Sequence, residues 1–392
     1  GTLSVRAREL DWMLAEVGYL VDSGAAGNPW IHQPPPSDRR FDTLGERPRV
    51  SCVRDGPLEC TYRVAFDWHL PRGLSDDGRA RSDQLVPVRV VSDVTLRAGQ
   101  PWVEVVTELD NTVRDHHLRV AFPVPIGDAV HVAQTPLDVV RRPLDPPDPA
   151  LYNELLQDEQ PFSGFVDLSG TDSRRGVAIL ADGLRAYSLK REGGLTIELT
   201  LLRAYAMRFF VPEKLDHAEL SAGSQCPGRH RFRYAICPHS GDWQAARVWQ
   251  SAERFLTPLV AAQVAPTRHG SQPRVRSFLE VEPDALHVSA VKQREDGRGW
   301  AVRLLNPSEQ PVQGRLRLNG GLGPPAGDVS PRQRVKDEFA LPAGPGRPWR
   351  RVQLVTLEER PLRKLRMAED GWIELELRPK QIATVSFEAE GP

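Results

Sequence analysis

Residues 101–123, with the sequence PWVEVVTELDNTVRDHHLRVAFP, decide the fold class. Apolar and polar residues alternate through the first half, and β-branched residues are frequent, so this half predicts a long strand. Asp110 and Asn111 favour a turn, and the alternation resumes at Leu118 until Pro123 ends it. The stretch therefore predicts two antiparallel strands joined by a charged loop, a wide hairpin.

The same alternation recurs along the first 200 residues, interrupted by turn residues such as the Asp-Gly pair at 55–56. Further strands are predicted at 49–53, 60–69, 84–96, 162–168, 176–180, 185–190 and 195–202. The proline-rich, acidic residues 136–149 are predicted to be irregular. So many consecutive strands with so little helix favour a large antiparallel sandwich.

One helix is predicted near residues 242–257. Asp242 can cap its start, apolar residues follow at helical spacing, and Pro258 marks its end. Trp243 and Trp249 are expected to pack against the sheet.

The chain length of 392 residues exceeds the size at which a single core usually stops growing. We predict a large sandwich at 1–262, a linker at 263–275 and a small sandwich at 276–392. The small sandwich is expected to resemble an immunoglobulin fold, because its short strands recur at regular spacing. They are predicted at 286–293, 300–305, 314–318, 351–357, 372–377 and 382–387, with Gly/Pro loops at 320–327 and 343–348.

Composition excludes several classes of partner. The 51 Lys and Arg nearly balance the 52 Asp and Glu, so no overall field favours nucleic acid or an anionic membrane. No apolar run is long enough to span a bilayer, and no signal-peptide pattern opens the chain. The four cysteines have no CxxC spacing and are expected to be reduced. These features favour a cytoplasmic protein.

The sequence offers no catalytic or metal-binding signature of its own. It has no GxSxG, Walker or zinc-ribbon pattern, and its ten histidines lack the spacing of helical metal ligands. Asp110, Asp115, Asp167 and Asp182 would form a glycosidase pair only if two of them faced each other across a sugar. We therefore predict neither catalytic nor metal-binding residues in this chain.

The small-residue segment 22–30 ends on Trp30. Its glycines allow a tight turn or a close approach to a ligand. Trp30 is then either a face for stacking a sugar or a side chain packed back on the sheet.

A series of segments resembles the C-terminal β-domains of glycoside hydrolase family 38 α-mannosidases, especially bacterial members, and follows the family order along almost the whole chain. These segments are 17–24 (VGYLVDSG), 108–111 (ELDN), 115–122 (DHHLRVAF), 164–169 (GFVDLS), 176–183 (GVAILADG), 199–203 (LTLLR), 238–243 (PHSGDW), 304–307 (LLNP) and 377–384 (LRPKQIAT).

This resemblance implies an all-β chain: a large antiparallel supersandwich similar to galactose mutarotase, one helix, then the small sandwich. It also implies retaining hydrolysis of terminal α-mannosides by an aspartate nucleophile, an acid/base carboxylate and a zinc ion held by His and Asp. In the family these groups belong to an N-terminal catalytic module, which we expect to be absent here. The expected partners are that module and a mannose-containing carbohydrate. We expect the chain alone to be inactive and to hold no cofactor.

The resemblance also implies a substrate-binding pocket rim formed by Asn28, Trp30 and Arg203. Trp30 matches in position the family loop that presents an aromatic residue to the sugar. Many relatives have an acidic pair and a tyrosine where this chain has Asn28, Pro29 and Trp30. Arg203 resembles a substrate-side arginine, and an ion pair within the sheet is the other interpretation.

Two other hypotheses remain open. A free-standing carbohydrate-binding or mutarotase-like protein would need its own pair of a histidine and an acidic residue, with His116, His117 and His131 as candidates. A purely structural interpretation makes the sandwiches a platform for homo-oligomers.

Overall fold

The computed structural model describes residues 2–145, 158–191, 193–206, 222–265, 275–319 and 349–388. These residues are mostly β-strands, which confirms the predicted all-β class. They separate into a large unit, Gly1–Pro136 with Val140–Pro258, and a small unit, Leu137–Val139 with Leu259–Pro392. The predicted loops at 320–327 and 343–348, and residues 266–274 of the predicted linker, lie outside the described residues.

The strands up to residue 239 are β1 Leu3–Ala7, β2 Trp12–Val17, β3 Tyr19–Gly24, β4 Phe41–Asp42, β5 Arg49–Asp55, β6 Glu59–Pro71, β7 Leu85–Arg97, β8 Val103–Asn111, β9 His116–Val124, β10 Ala129–Thr135, β11 Asp138–Arg142, β12 Glu159–Pro161, β13 Phe165–Gly170, β14 Gly176–Asp182, β15 Ala186–Lys190, β16 Leu195–Ala204 and β17 Gly228–His239. Among the described residues they form three antiparallel sheets. A two-stranded sheet pairs β1 with β2, a nine-stranded sheet has the order β11-β10-β13-β14-β17-β8-β7-β6-β5, and a six-stranded sheet has the order β12-β15-β16-β9-β3-β4. Strand β11 corrects the prediction that 136–149 is wholly irregular.

The predicted hairpin at 101–123 is wrong, although both of its strands form. Strand β8 pairs with β7 and β17 in the nine-stranded sheet, whereas β9 pairs with β16 and β3 in the six-stranded sheet. Residues far away in sequence hold the connection between β8 and β9, since Asn111 Nδ2 donates to the carbonyls of Gln225 and Cys226. Asp115 has a φ of 47°, which redirects the chain. The turn therefore moves the chain from one sheet to the other.

The core of the large unit lies between these two sheets. One apolar cluster takes Leu118, Val120 and Phe122 from β9 together with residues of the nine-stranded sheet. The Phe122 ring meets the Tyr234 ring of β17 edge-on at 5.8 Å between centroids. Alternate residues of β9 face this core, so the residues between them face the opposite side of the six-stranded sheet.

Helix α1 spans Val248–Leu256, so it starts later than the predicted position at Asp242. Asp242 Oδ1 accepts hydrogen bonds from the amides of Gln244 and Ala245, which makes it the cap of a preceding turn. Trp249 is buried and its ring lies 6.4 Å from that of Phe165, as expected for a core contact. A 3-10 turn, Arg8–Leu10, also occurs in the described part of this unit.

The strands of the small unit are β18 Leu279–Glu282, β19 His287–Gln293, β20 Gly299–Leu305, β21 Val312–Leu318, β22 Arg351–Val355, β23 Pro361–Lys364, β24 Ile373–Leu377 and β25 Ile382–Glu388. In the described residues they form a three-stranded sheet of order β18-β21-β24 and a five-stranded sheet of order β19-β20-β25-β22-β23. A separate apolar cluster that includes Val302, Leu316 and Phe387 forms the core of this unit. No helix in the described parts of either unit is long and apolar enough to cross a membrane.

Candidate functional site

The outer face of the six-stranded sheet, which is the side away from the core, is polar, and most of its side chains are buried. Its side chains alternate with core residues along each strand, and strand register brings them together: Ser23 pairs with His117, and Glu159 pairs with Ser188. The polar residues of this face include Ser23 of β3, His117 and Arg119 of β9, Glu159 of β12, Ser188 and Lys190 of β15, and Glu198, Thr200 and Arg203 of β16.

A loop at 25–33 lies beside this face and carries Asn28 and Trp30. Asn28 Oδ1 accepts hydrogen bonds from the amides of Trp30 and Ile31, both at 2.9 Å, and the Asn28 amide donates to the Ile31 carbonyl. This local turn holds the backbone so that the Trp30 side chain points outward. Trp30 is 72% exposed, which contradicts the interpretation that it packs back on the sheet.

Arg203 holds this loop by hydrogen bonds to its backbone. Its Nη1 donates to the Asn28 carbonyl at 2.9 Å and its Nη2 to the Pro29 carbonyl at 2.6 Å, while the guanidinium lies over the Tyr205 ring. A β-bulge between Thr200 and Leu202 breaks the alternation of β16, so that Arg203 lies opposite His117. The three residues predicted as the pocket rim are therefore assembled in one place, with Arg203 bonded to the loop.

His117, Thr200 and Glu159 form a hydrogen-bonded triplet. His117 Nε2 lies 3.0 Å from Thr200 Oγ1 and 3.2 Å from Glu159 Oε1, and the Thr200 hydroxyl donates to the same carboxylate. Because both neighbours of Nε2 act as acceptors, Nε2 carries the proton and Nδ1 of a neutral ring is an acceptor. Burial lowers the pKa of His117, which keeps the ring neutral.

Glu159 stays ionised in this triplet. Burial by itself would raise the pKa of Glu159, but hydrogen bonds from His117 and Thr200 and the charge of Arg203 outweigh it, so that the pKa falls to about 2. Neutral His117 and anionic Glu159 are therefore both present at neutral pH.

His32, on the same loop as Trp30, meets the His117 ring edge-on at 4.4 Å between centroids. Burial, together with the neighbouring His117 and the charge of Arg119, lowers the pKa of His32 to about 3. The ring is therefore uncharged across the physiological range.

The lowered pKa of His32 predicts that the stability of the protein depends on pH. An unfolded histidine takes up a proton near pH 6.5, whereas folded His32 does so only near pH 3, so the unfolded state binds more protons between these values. The free energy of unfolding should therefore fall as the pH falls from about 6.5 to 4. Replacing His32 by Gln should make this dependence shallower in urea titrations of both proteins at several pH values. Equal slopes would contradict the prediction.

The remaining charges of this face are paired. Arg119 Nη1 donates to Glu198 at 2.7 Å and its Nη2 donates to Ser23 Oγ at 2.9 Å. Arg40 donates to the other oxygen of Glu198, and Lys190 pairs with Asp158. Above these residues is a cleft of about 360 Å³, lined among others by Ser23, His32, His117, Arg119, Glu159 and Ser188.

The opposite side of strands β3 and β9 carries a second, fully buried network. Asp22 accepts a hydrogen bond from Arg81 at 2.5 Å and one from His116 Nδ1 at 2.6 Å. His116 Nε2 lies 3.1 Å from Asn111 Oδ1. Burial opposes ionisation of Asp22, but the charges and hydrogen bonds of His116 and Arg81 outweigh it and hold its pKa below the usual value. Both ring nitrogens of His116 therefore have partners within the fold.

The other candidates from the sequence do not converge. The Tyr187 hydroxyl lies 2.7 Å from His131 Nε2, and Arg142 donates to the same hydroxyl. Asp167 is buried against His239 and Ser169, while Asp115 accepts a hydrogen bond from the Gln225 amide. The remaining two, Asp110 and Asp182, are exposed on β8 and at the end of β14. The contacts of these carboxylates thus give no sign of a facing pair.

Within the described ranges, no group of three His, Cys, Asp or Glu side chains is arranged to hold a metal ion. These residues therefore do not fit the zinc that the family resemblance implies. That zinc belongs to a separate module remains a prediction.

Comparison with known proteins decides the family. The model of the "Glycosyl hydrolases family 38 C-terminal domain" matches residues 6–207, slightly more than half of the chain. The chain belongs to glycosyl hydrolase family 38. A second model of this family, the "C-terminal beta sandwich domain", matches residues 285–385 in the small unit. The first match includes Asn28, Trp30, His117, Glu159 and Arg203.

Individual family 38 relatives are distant. The chain is 23% identical over 329 residues to a "Putative mannosylglycerate hydrolase" of Halalkalibacterium halodurans, which covers 79% of this chain and 35% of the relative. It is 28% identical over 237 residues to human "Alpha-mannosidase 2C1", and this match covers 59% of this chain and 20% of the relative. The crystal structure of an alpha-mannosidase from Enterococcus faecalis V583 has the same fold, with a TM-score of 0.77, 22% identity, and coverage of 99% of this chain and 40% of that one. The chain thus spans about a third or less of the curated relatives' length.

Sequence reasoning found the loop and Arg203 but missed His32, Arg119, Glu159 and Ser188. A weak signal is the alternation of the polar residues 196, 198 and 200 in the strand predicted at 195–202. It could not show that Glu159 of β12, which follows His117 by 159 − 117 = 42 positions, supplies the carboxylate beside that histidine.

Proposed function

We propose that this chain is the C-terminal β-portion of a retaining α-mannosidase of family 38 and that it contributes a sugar-binding rim. The match to the family over residues 6–207 carries the proposal, because it includes the whole loop at 25–33 together with Arg203. The names of the relatives in humans and Enterococcus faecalis support an α-mannoside as substrate.

In this proposal the Trp30 ring stacks on a sugar of the substrate. Sugar rings present apolar C–H faces, and a rigid aromatic side chain gives contact area at low entropic cost. Trp30 is 72% exposed on a loop whose backbone is held by Asn28 and Arg203. Arg203 acts as a positioning residue, since two of its nitrogens are bonded to loop carbonyls.

The bond-breaking groups would be supplied by a catalytic module outside the 392 residues. Hydrolysis with retention needs two carboxyl groups about 5–5.5 Å apart. The described carboxylates Asp115, Asp167 and Glu159 are each bonded to other residues of the sheets. This chain's contribution is to bind and orient the mannoside.

The mutarotase-like alternative has less support. It needs a histidine and a carboxylate that face the sugar separately. His116 and His131 are bonded to Asp22 and Tyr187, and His117 is bonded to the only carboxylate described beside it, Glu159.

Replacing Trp30 by Ala tests the proposal. In the enzyme assembled with its catalytic module, we expect KM for para-nitrophenyl α-mannoside to rise about 2- to 10-fold, the effect of one lost aromatic contact. Leu58→Ala is the matched control, because Leu58 is also exposed, at 75%, but lies on the turn between β5 and β6.

The same assay on this chain alone should give no turnover, with or without added zinc. Zinc-dependent turnover by the chain alone, or an unchanged KM in the Trp30 variant, would contradict the proposal.

A further inference from the structure

The cleft above the outer face of the six-stranded sheet has buried polar groups that the fold does not use. His117 is 1% exposed, Ser188 is 2% exposed and Arg119 is 8% exposed, and all three line the cleft. Within the described residues, His117 Nδ1, Ser188 Oγ and Arg119 Nε have no hydrogen-bond partner. Buried polar atoms are nearly always paired, so three such atoms around one cleft point to a bound molecule.

The unused atoms offer a defined set of hydrogen bonds. His117 Nδ1 is an acceptor, since Nε2 carries the proton toward Thr200 and Glu159. Arg119 Nε is a donor, and the Ser188 hydroxyl can act as either. A hydroxyl group both donates and accepts, so adjacent hydroxyls on one ligand can match all three.

The charges around the cleft do not favour an ion. Arg119 and Arg40 are both bonded to Glu198, and Lys190 is paired with Asp158. Glu159 accepts from Thr200 and His117. Three cationic side chains, Arg40, Arg119 and Lys190, and three carboxylates, Asp38, Asp158 and Glu159, line the cleft. The lining therefore carries no net charge that would select an anion or a cation.

We propose that this cleft is a second binding site, for a neutral, hydroxyl-rich ligand of the size of one sugar ring. The volume of about 360 Å³ is at the lower end of the range for ligand pockets. The His32 ring and Pro34 add less polar walls. This site is distinct from the exposed face of Trp30, and it does not depend on the proposed function.

Calorimetric titration of this chain with D-mannose, D-glucose and D-glucuronate tests the proposal. At least one of the two neutral sugars should bind at millimolar concentration, and glucuronate should bind more weakly. Ser188→Ala should raise the Kd about 2- to 10-fold, the effect of one neutral hydrogen bond. Absence of binding by both neutral sugars, or preference for glucuronate, would overturn the proposal.

Ser163→Ala is the matched control. Ser163 Oγ is also buried without a partner among the described residues, but Ser163 does not line the cleft. Its replacement should leave the Kd unchanged. An equal effect of both serine variants would overturn the assignment to the cleft.

Trp30→Ala separates this proposal from the proposed function. Sugar binding that is weakened by Ser188→Ala and kept in Trp30→Ala belongs to the cleft. Binding that is lost in Trp30→Ala and unchanged in Ser188→Ala belongs to the loop face, which would overturn the second site and leave the proposed function standing. As a further readout, the ring nitrogens of ¹⁵N-labelled His117 should shift on sugar binding.

Discussion

Replacing Asp22 by Asn should lower the free energy of unfolding of the large unit by about 3–5 kcal/mol, because removing one partner of a buried ion pair leaves the other charge uncompensated. Asp22 and Arg81 both have side chains that are 0% exposed, and their ion pair measures 2.5 Å. The other carboxylate oxygen of Asp22 bonds His116, whose second nitrogen faces Asn111 Oδ1. An asparagine cannot offer an acceptor oxygen to both partners.

The matched control is Asp67→Asn. Asp67 pairs with Arg89 at 3.1 Å, but the two side chains are 56% and 53% exposed. Exposed pairs typically contribute about 0–1 kcal/mol, so this change should have little effect. Urea unfolding of the two variants and the parent protein gives the comparison, and equal losses would contradict the prediction.

A double variant separates the lost charge from lost packing. If the uncompensated charge of Arg81 causes the loss, Arg81→Met in the Asp22→Asn background should recover part of it. Arg81 also lies over the Phe41 ring at 5.5 Å, so the recovery should be incomplete. Additive losses in the double variant would show that the charge is not the cause.

Gly27→Ala should open the loop that presents Trp30. A Cβ at position 27 would lie 2.2 Å from the Ile31 carbonyl oxygen and 2.8 Å from the Gln33 amide nitrogen. Both contacts are with backbone, which cannot move without breaking the hydrogen bonds from Ala26 to Gln33 and from Asn28 to Ile31. Overpacking of this kind costs about 1–3 kcal/mol.

Hydrogen exchange measures this effect locally. Protection of the amides of Ala26 and Asn28 should fall about 5- to 150-fold, which corresponds to the same 1–3 kcal/mol. Gly45→Ala is the control, because a Cβ there would have nothing within 4 Å. Unchanged protection in the Gly27 variant would show that the loop accommodates a side chain. Loss in both variants would show that the effect is not local.

The cleft and the buried network of Asp22 lie on opposite faces of the same two strands, β3 and β9. Ser23 and His117 face the cleft, whereas Asp22 and His116, the preceding residues on β3 and β9, face Arg81 and the interior. Adjacent residues thus serve the two sides of one sheet. This arrangement gives the polar cleft a rigid base, as a binding site on strands requires.

The sequence alone determined the all-β class, the family and the loop that carries Trp30. Alternation with period two and turn residues such as Asp110 and Asn111 are local properties, and they are visible in any single segment. The order of family segments is equally independent of contacts. These features did not need the tertiary structure.

Only the tertiary structure decided which strands pair and which side chains meet. Alternation assigns residues to the two faces of one strand, but it does not name the neighbouring strand. Strands β8 and β9 therefore looked like a hairpin, although Asn111, bonded to carbonyls at 225 and 226, directs them into different sheets.

The candidate site could not be predicted for the same reason, since alternation does not identify the neighbouring strand. The bulge after Thr200 changes the alternation that would have placed Arg203, and β12 brings Glu159 to His117 from a distant part of the chain. Such contacts arise from the pairing of strands far apart in sequence. Their physical cause is burial of the common core, which local sequence patterns do not contain.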